Sequence, residues 1–222
     1  MSLVLVIGNK AYSSWSLRPW LLMAEVGIDF DEILIPLDEA DTKERILRHS
    51  PSGKVPCLVD GDVAVWDTMS IMEYLADHYS DRAIWPADPV ARAIARSVSA
   101  EMHSGFPALR KACPMNLRKR FPFLGWGGPA AAAEVARIEQ IFADCRSRFA
   151  GSGPFLFGAF SAADAMYAPV VTRLDRYGWE VSAATRSYMD AVLALPSLKR
   201  WTSDAAAEPW VIAADEVELP AK

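Results

Sequence analysis

Residues 53–68 read GKVPCLVDGDVAVWDT, and this stretch decides the fold of the first half of the chain. Two short apolar runs, 55–59 and 63–66, flank Asp60-Gly61-Asp62. Because Asp-Gly between apolar runs is a strong hairpin signal, we predict two antiparallel strands joined by a tight turn. Proline at the opening of the first strand is tolerable if the Val55–Pro56 bond is cis, since the backbone of Val55 then faces outward.

The elements around this hairpin complete a small α/β unit. An apolar run at 3–7 predicts a buried strand, and a helix capped by Ser16 is expected to run to about Val26, before Gly27. The remaining patterns predict a strand at 30–35, a weak helix at 41–49 and a helix at 67–79. The resulting order, βαβαββα, is that of a thioredoxin-like domain.

The second half of the chain contains helical patterns and no convincing strand. Long helical patterns cover 90–111 and 130–150, and two shorter ones lie at 182–195 and 197–207. Between them, Ser161 and Asp164 form a capping box before an apolar helix. We therefore predict two domains: an α/β thioredoxin-like N-terminal domain over 1–81 and, after a proline-containing linker at 82–88, an all-α helical bundle domain over 89–222.

The composition is that of an ordinary globular chain. Its 222 residues are 52% hydrophobic and 23% charged, which excludes a disordered protein. The net charge of -5 is uneven: residues 1–80 carry -7 and residues 81–222 carry +2, so no basic surface of the nucleic-acid-binding type is implied. No apolar stretch reaches about 18 residues, and we therefore expect no membrane span.

Cysteine and histidine usage argues for a reducing compartment and against a metal site. Cys57, Cys113 and Cys145 are odd in number, widely spaced and without a CxxC pair, which fits the cytoplasm. The first residues lack a basic leader, so we interpret them as a strand rather than a signal peptide. The three histidines are too scattered to propose metal ligands. We therefore expect a cytoplasmic protein without a bound metal.

Three features of the first half predict a site for an anionic ligand. The stretch Tyr12–Arg18 places hydroxyl groups at the start of a helix, where free N–H groups and the helix dipole favour an anion. The loop that ends at Pro56 is the second feature. Asp67-Thr68 caps the following helix and provides a second helix N-terminus, which can hold a carboxylate.

Taken together, these motifs resemble the glutathione site of cytosolic glutathione transferases. GKVPCL at 53–58 and VWDTMSIMEYLADHY at 65–79 look like that site, and SSWSLRPW at 13–20 is similar to the SSCSWR stretch of the zeta class. FSAADAMYAP at 160–169 looks like the capping-box helix of the family's second domain. The resemblance covers nearly the whole chain. It implies reduced glutathione as co-substrate, no permanently bound cofactor, and a homodimer.

The resemblance also implies roles for individual residues. Ser13 or Ser14 would hydrogen-bond the glutathione sulfur; the alignment favours Ser13, and Tyr12 is an alternative donor. The other implied contacts with glutathione are Arg18, Lys54, Val55, Pro56, Asp67 and Thr68. Simpler interpretations remain open: the serines as turn residues, Asp67 as a helix cap alone, and Arg18 and Lys54 as surface charges.

A hydroxyl at this place can account for thiol activation. A free thiol has a pKa of about 8.5, and lowering it by about 2 units requires roughly 2.7 kcal/mol of preference for the thiolate. One hydrogen bond to an anion supplies about 1.5–3 kcal/mol, and a helix N-terminus adds about 0.3–1 kcal/mol. No protein general base is therefore required.

Members of that family place the second substrate along the first helices of the helical domain. The residues that the resemblance assigns to this pocket, with core packing as the alternative, are Tyr12, Trp15, Met102, His103, Phe106 and Trp126. Trp15 stands where the zeta class has cysteine, which argues against isomerase chemistry. A basic cluster of Arg110, Lys111 and residues 118–120 is either a solvated helix end or a rim that attracts anionic substrates or partners.

These features predict an enzyme. We expect a glutathione transferase of the detoxification type, which directs the glutathione thiolate at a small hydrophobic electrophile or a peroxide. The alternative is a non-catalytic interaction or stress-response protein with the same fold. A thiol oxidoreductase is disfavoured because residues 13–16 contain no cysteine.

Overall fold

A four-stranded mixed sheet forms the centre of the first half of the molecule. The computed structural model describes residues 3–219. Its strands are β1 (Leu3–Ile7), β2 (Phe30–Leu34), β3 (Cys57–Asp60) and β4 (Val63–Trp66), in the order β2-β1-β3-β4. β1 pairs with β2 in parallel, and β3 is antiparallel to both β1 and β4. The predicted thioredoxin-like order, with a hairpin at the end of the sheet, is confirmed.

Three helices accompany the sheet: α1 (Ser14–Val26), α2 (Thr42–Leu47) and α3 (Thr68–His78). The predicted cap of α1 was wrong, because Ser13 rather than Ser16 is the N-cap. Ser16 lies inside the first turn, where its Oγ accepts a hydrogen bond from the Gly8 N–H at 3.0 Å. The helix cap therefore lies three residues closer to β1 than the sequence predicted.

The second half of the molecule is helical. Its helices are α4 (Pro89–Ser104), α5 (Pro107–Ala112), α6 (Gly128–Cys145), α7 (Ala162–Arg176), α8 (Ala183–Ala194) and α9 (Pro196–Ala207). A π turn, Arg146–Ala150, extends α6, and a 3-10 turn, Ala213–Asp215, lies near the C-terminus. None of the helices within residues 3–219 is both long and apolar enough to cross a membrane. The predicted all-helical second part is confirmed, while the domain bounds stay a prediction.

The single helix predicted at 90–111 was wrong, because two helices occupy this range. The chain turns at Gly105-Phe106-Pro107, and Phe106 adopts a positive φ of 58°. A Cβ at Gly105 would lie only 2.6 Å from the carbonyl oxygen of Glu101. Pro107 opens α5 at a position where its missing N–H costs nothing, so the Gly-Phe-Pro sequence ends one helix and starts the next.

Helix α7 forms the centre of the helical part and packs against both α1 and α4. The predicted capping box at its start is present. The fully buried carboxylate of Asp164 accepts hydrogen bonds from the N–H groups of Ser161 at 2.9 Å and Leu156 at 3.0 Å. Burial raises the pKa of Asp164 to about 6, although both N–H donors favour the charged form.

Replacement of Asp164 by alanine should destabilise the protein strongly. The variant leaves two buried N–H groups without an acceptor, and we expect the free energy of unfolding to fall by about 2–4 kcal/mol. Urea denaturation followed by circular dichroism measures this change. Asp190→Ala, at an exposed position on α8, is the matched control and should change stability by less than about 0.5 kcal/mol. Equal stability of the two variants would contradict a structural role for the capping box.

Candidate functional site

A continuous cleft runs along the N-termini of α1 and α3. Two cavities, of about 420 and 470 Å³, share Trp15, Lys54 and Val55 in their walls. The first also contacts Ser13 and Ser14, and the second is completed by the start of α3. The cleft thus brings together, from three separate stretches of sequence, most of the predicted glutathione contacts: Ser13, Ser14, Lys54, Val55, Pro56, Asp67 and Thr68.

The loop before β3 forms the floor of this cleft. The Val55–Pro56 peptide bond is cis, as the sequence suggested. Val55 is half-buried and Pro56 is buried, whereas Lys54 is exposed at the rim. The exposed ammonium group of Lys54 is therefore free to approach a ligand carboxylate.

The two adjacent serines have different partners although both are 8% exposed. The Ser13 hydroxyl donates to Ser16 Oγ at 2.8 Å and accepts from the Ser16 N–H at 3.4 Å, which is the geometry of a helix cap. The Ser14 oxygen instead accepts a hydrogen bond from Nη2 of Arg173, on α7, at 3.3 Å. The hydrogen of Ser13 is therefore used within the helix cap, while Ser14 is linked to a cation of the helical part.

Asp67 lies at the start of α3 in an unusual conformation. Its backbone φ is 73°, a value that residues other than glycine rarely adopt and that is often found at functional sites. One carboxylate oxygen accepts from the Met69 N–H at 2.9 Å, and the other lies 3.3 Å from Nε2 of His103. The exposed carboxylate is thus fixed in direction and still accessible to a ligand.

The start of α3 is tied to the start of α1. The buried Thr68 donates its hydroxyl hydrogen to the carbonyl oxygen of Trp15 at 3.2 Å. The Trp15 ring also contacts the ring of His103 edge-on, with centroids 5.0 Å apart. These contacts hold the two helix N-termini and α4 together around one side chain, Trp15.

Two guanidinium groups pack on the Trp15 ring. The Cζ atoms of Arg18 and Arg110 lie 4.2 and 4.8 Å from its centroid. Arg18 is completely buried behind the ring and donates to the carbonyl oxygens of Met166 and Ser14, each at 2.9 Å. Burial, followed by the charges of Arg173 and Arg110, holds the pKa of Arg18 well below its ordinary value. Arg18 therefore does not line the cleft, in contrast to the other predicted contacts.

A third cavity, of about 440 Å³, lies on the other side of Ser14 and Trp15. Its polar wall consists of Ser14, Arg110, Lys111, Arg173 and Asp215. Arg173 is nearly buried and is held by the carbonyl oxygens of Cys113 at 2.8 Å and Pro169 at 3.3 Å. Burial and the nearby charge of Arg110 lower the pKa of Arg173 to about 10.

Residues 208–219, which we call the C-terminal segment, pack against this region. Glu208 accepts hydrogen bonds from the N–H groups of Lys10 and Ala11 at 2.7 and 3.1 Å. Glu216 accepts from the hydroxyl of Tyr12 at 2.6 Å and from Asn116 Nδ2 at 2.9 Å. The segment thereby brings Asp215 to the wall of the third cavity.

The hydroxyl group of Tyr12 is hydrogen-bonded to the C-terminal segment. Burial, reinforced by the hydrogen bond to Glu216, raises the pKa of Tyr12 to about 12. Its hydroxyl hydrogen is therefore directed away from the cleft, although the ring lines both the first and the third cavity.

The residues predicted for a second-substrate pocket do not all lie in one place. Tyr12, Trp15 and His103 lie in cavity walls. Met102 and Phe106 are buried in the core, and Trp126 packs against Phe121 and Tyr177, with centroids 6.0 and 5.3 Å apart. The basic cluster is divided as well, because only Arg110 and Lys111 reach the third cavity.

The remaining members of the basic cluster hold other parts of the surface. Arg118 donates to the carbonyl oxygens of Ala205 at 3.1 Å and Trp210 at 2.8 Å, and Lys119 pairs with Glu216. Arg120 lies 2.8 Å from Asp175.

Two residues in the wall of the third cavity, Arg173 and Asp215, were not predicted from the sequence. The available signal for Arg173 was a single arginine within the apolar face of a helix.

The sequence matches two family models, described as the N-terminal and the C-terminal domain of glutathione S-transferase, over residues 12–78 and 128–203. A probable maleylacetoacetate isomerase of Caenorhabditis elegans is 28% identical over 175 residues, covering 78% of this chain and 79% of that protein. Glutathione S-transferase Z2 of Arabidopsis thaliana is 27% identical over 163 residues, covering 69% and 73%. A Stringent starvation protein A homolog of Pasteurella multocida is 26% identical over 175 residues, covering 78% and 76%.

Solved structures share the fold. A glutathione transferase homolog from Burkholderia, crystallised with bound glutathione, superposes with a TM-score of 0.70 at 21% identity and covers 93% of this chain and 99% of that one. A diazinon-metabolizing glutathione S-transferase from the silkworm Bombyx mori gives a TM-score of 0.71 at 17% identity, with 93% and 98% covered. Both similarities extend over the sheet and the helical part.

Removal of the Tyr12 hydroxyl should loosen the C-terminal segment. In the Tyr12→Phe variant Glu216 loses its shortest neutral donor, so we expect amide hydrogen exchange in residues 208–219 to accelerate about 3–10-fold. Exchange followed by mass spectrometry measures this, with α3 as the internal reference. Tyr79→Phe, at a half-buried position, is the control and should leave the segment unchanged. Unaltered exchange in Tyr12→Phe would show that the segment is held without this bond.

Proposed function

The chain belongs to the glutathione S-transferase family, and on this premise we propose that it binds reduced glutathione in the cleft beside Trp15 and transfers it to an electrophile. The observation that carries the proposal is the convergence of Ser14, Val55 and Asp67 on one cleft. These residues come from three separate stretches, and they offer a hydroxyl, a backbone edge and a carboxylate to one extended ligand.

The two ends of the tripeptide are assigned by charge. Asp67 offers a fixed carboxylate to the ammonium group of the γ-glutamyl residue, and the N-terminus of α3 favours the neighbouring carboxylate. The Val55 backbone would pair with the cysteinyl residue, and Lys54 would approach the glycyl carboxylate. Glutathione then extends across the cleft with its sulfur directed at the N-terminus of α1.

We assign the Ser14 hydroxyl as the group that donates a hydrogen bond to the glutathione sulfur. The hydrogen of Ser13 is already donated to Ser16, whereas the Ser14 oxygen accepts from Arg173 and keeps its own hydrogen for another acceptor. The cation behind Ser14 favours negative charge on the sulfur as well. A hydrogen bond of about 1.5–3 kcal/mol to the thiolate corresponds to a decrease of about 1–2 units in the thiol pKa.

The reaction follows from the stabilised thiolate. The sulfur forms a bond to an electrophilic carbon, the leaving group departs with the bonding electron pair, and the thiol proton passes to water. With a peroxide, the sulfur attacks one peroxide oxygen, the O–O bond breaks, and the other oxygen leaves with the bonding electron pair and is protonated to an alcohol or water. A second reduced glutathione then converts the resulting sulfenic acid to glutathione disulfide and water. We do not assign isomerase chemistry, because Trp15 occupies the place of the zeta-class cysteine.

A non-catalytic role is the second candidate. The Pasteurella multocida relative bears the name Stringent starvation protein A homolog, so the shared fold alone does not identify an enzyme.

We also propose a homodimer, since large apolar side chains on β4 and at the start of α4 are exposed, namely Val63 at 48% and Val90 at 58%. Sedimentation equilibrium tests the dimer, and the cytoplasmic location stays a prediction.

Calorimetric titration with reduced glutathione tests the binding site. We expect native protein to bind glutathione and Asp67→Asn, which keeps the shape but loses the charge, to bind at least about 10-fold more weakly. Asp62→Asn, at an exposed position in the hairpin turn, is the matched control and should bind like the native protein. Absence of binding to the native protein would refute the proposal and favour the non-catalytic candidate.

Comparison of the two serines tests the assignment of the sulfur donor. In Ser14→Ala we expect the pKa of the bound glutathione thiol to rise by about 1–2 units, as measured by thiolate absorbance against pH. In Ser13→Ala we expect an unchanged thiol pKa and a loss of about 1 kcal/mol in the free energy of unfolding, because a helix cap is lost. The reverse pattern would assign the sulfur to Ser13.

A further inference from the structure

Three arginines converge on Ser14 and Trp15 without a carboxylate partner. Arg18 and Arg110 pack on the Trp15 ring, and Arg173 donates to Ser14. Within residues 3–219, none of the three lies within 4.0 Å of a carboxylate oxygen. The proposed site of thiol activation is thus bordered by a concentration of positive charge, which Glu134 and Asp215 offset only from beyond 4.0 Å.

This arrangement is costly for a protein to maintain without a ligand. Arg18 and Arg173 are almost completely buried, and both are bonded to uncharged carbonyl oxygens. Buried cations are normally paired with an anion, because removal of charge from water is unfavourable. The carbonyl oxygens explain how the two side chains are held in place, but they leave the positive charge uncompensated.

Arg110 is the member of the group that faces open space. It is half-buried, it lines the third cavity, and its guanidinium group makes no hydrogen bond to any residue between 3 and 219. Burial lowers the pKa of Arg110, and Glu134 opposes this shift only as a charge more than 4.0 Å away, since that carboxylate is bonded to the N–H groups of Ala108 and Leu109. The fork of Arg110 is therefore available to a ligand in the cavity.

The only acidic side chain in the wall of the third cavity, among the described residues, is Asp215 of the C-terminal segment. It is half-buried, and burial raises its pKa while the charge of Arg173 lowers it. The same wall contains three basic side chains, those of Arg110, Lys111 and Arg173. Arg18 lies behind Trp15. The cavity thus keeps an excess of positive charge.

We propose that the third cavity is an anion-binding subsite, and that the electrophile this enzyme uses carries a carboxylate held by Arg110 and Arg173. The inference rests on the proposed function, because Ser14 borders both the glutathione cleft and this cavity. It replaces the expectation of a purely hydrophobic electrophile. The cavity of about 440 Å³ accommodates a small aromatic or unsaturated acid beside the sulfur.

A matched pair of electrophiles tests the subsite, namely 4-chloro-3-nitrobenzoate and its methyl ester. In both, the glutathione sulfur bonds to the ring carbon that bears chlorine, chloride leaves with the bonding electron pair, and the thiol proton goes to water. The ester lacks the negative charge, carries one more methyl group and activates the ring more strongly, so each kcat/KM is divided by the rate constant of the uncatalysed reaction with glutathione. We expect native protein to use the acid with a kcat/KM at least about 10-fold above that of the ester at low salt, and this preference to shrink as salt is raised.

Arg110→Met removes the charge and keeps most of the side-chain stem. We expect kcat/KM for the acid to fall about 30-fold, mainly through KM, and that for the ester to change less than about 3-fold. Lys199→Met, the same charge change at an exposed site on α9, should leave both values unchanged. Asp215→Asn should raise kcat/KM for the acid about 3–10-fold. Equal losses for acid and ester in Arg110→Met would overturn the proposal.

Direct binding separates this inference from the proposed function. Titration with 4-chloro-3-nitrobenzoate alone, followed by tryptophan fluorescence, needs no glutathione. Loss of binding in Arg110→Met, with binding retained in Lys199→Met, supports the anion subsite even if the native protein fails to bind glutathione. Equal binding of the acid by both variants overturns the subsite even if glutathione binding and transfer are normal.

Discussion

A reciprocal pair of arginine contacts joins α1 to α7 and so connects the sheet-containing part of the molecule to the helical part. Arg18 of α1 donates to the carbonyl oxygen of Met166 in α7, and Arg173 of α7 donates to Ser14 at the start of α1. Both side chains are nearly or fully buried, so water cannot substitute for these bonds without opening the core. The position of the helical part relative to the α1 N-terminus, and with it the shape of every cavity around Trp15, is fixed by this crossing.

Two strained backbone positions complete the arrangement around Trp15. Asp67 and Phe106 are not glycine, and yet they have φ values of 73° and 58°. The first directs a carboxylate into the cleft. The second separates α5 from α4, so that the short helix α5 carries Arg110 onto the Trp15 ring. Such conformations persist when the surrounding packing determines them, and here both serve the walls of the cavities.

The C-terminal segment gives the third cavity its remaining wall. Its two anchors, Glu208 and Glu216, accept from backbone and side-chain donors near the start of α1 and just after the end of α5. The same segment presents Asp215 to the cavity that Arg110 and Arg173 line. The position of this segment therefore affects the charge of the cavity, since any anion in the cavity would be repelled by an ionised Asp215.

Elements whose signals are local could be predicted from the amino-acid sequence. The strand at 3–7, the hairpin around Asp60-Gly61, the cap at Asp67 and the box at Ser161 each follow from residues close together in the chain, because turns, caps and alternation are short-range physics. The cap of α1 and the division at Gly105-Phe106-Pro107 were not predicted, although the residues that decide them are close together in the chain. The partners of the individual arginine side chains could not be predicted from the sequence. The sequence does not distinguish Arg18, which is buried against carbonyl oxygens, from Arg120, which pairs at the surface, because burial and pairing depend on which helices meet in three dimensions. For Arg173 the sequence shows only an arginine within an apolar helix face, not the partners that hold it.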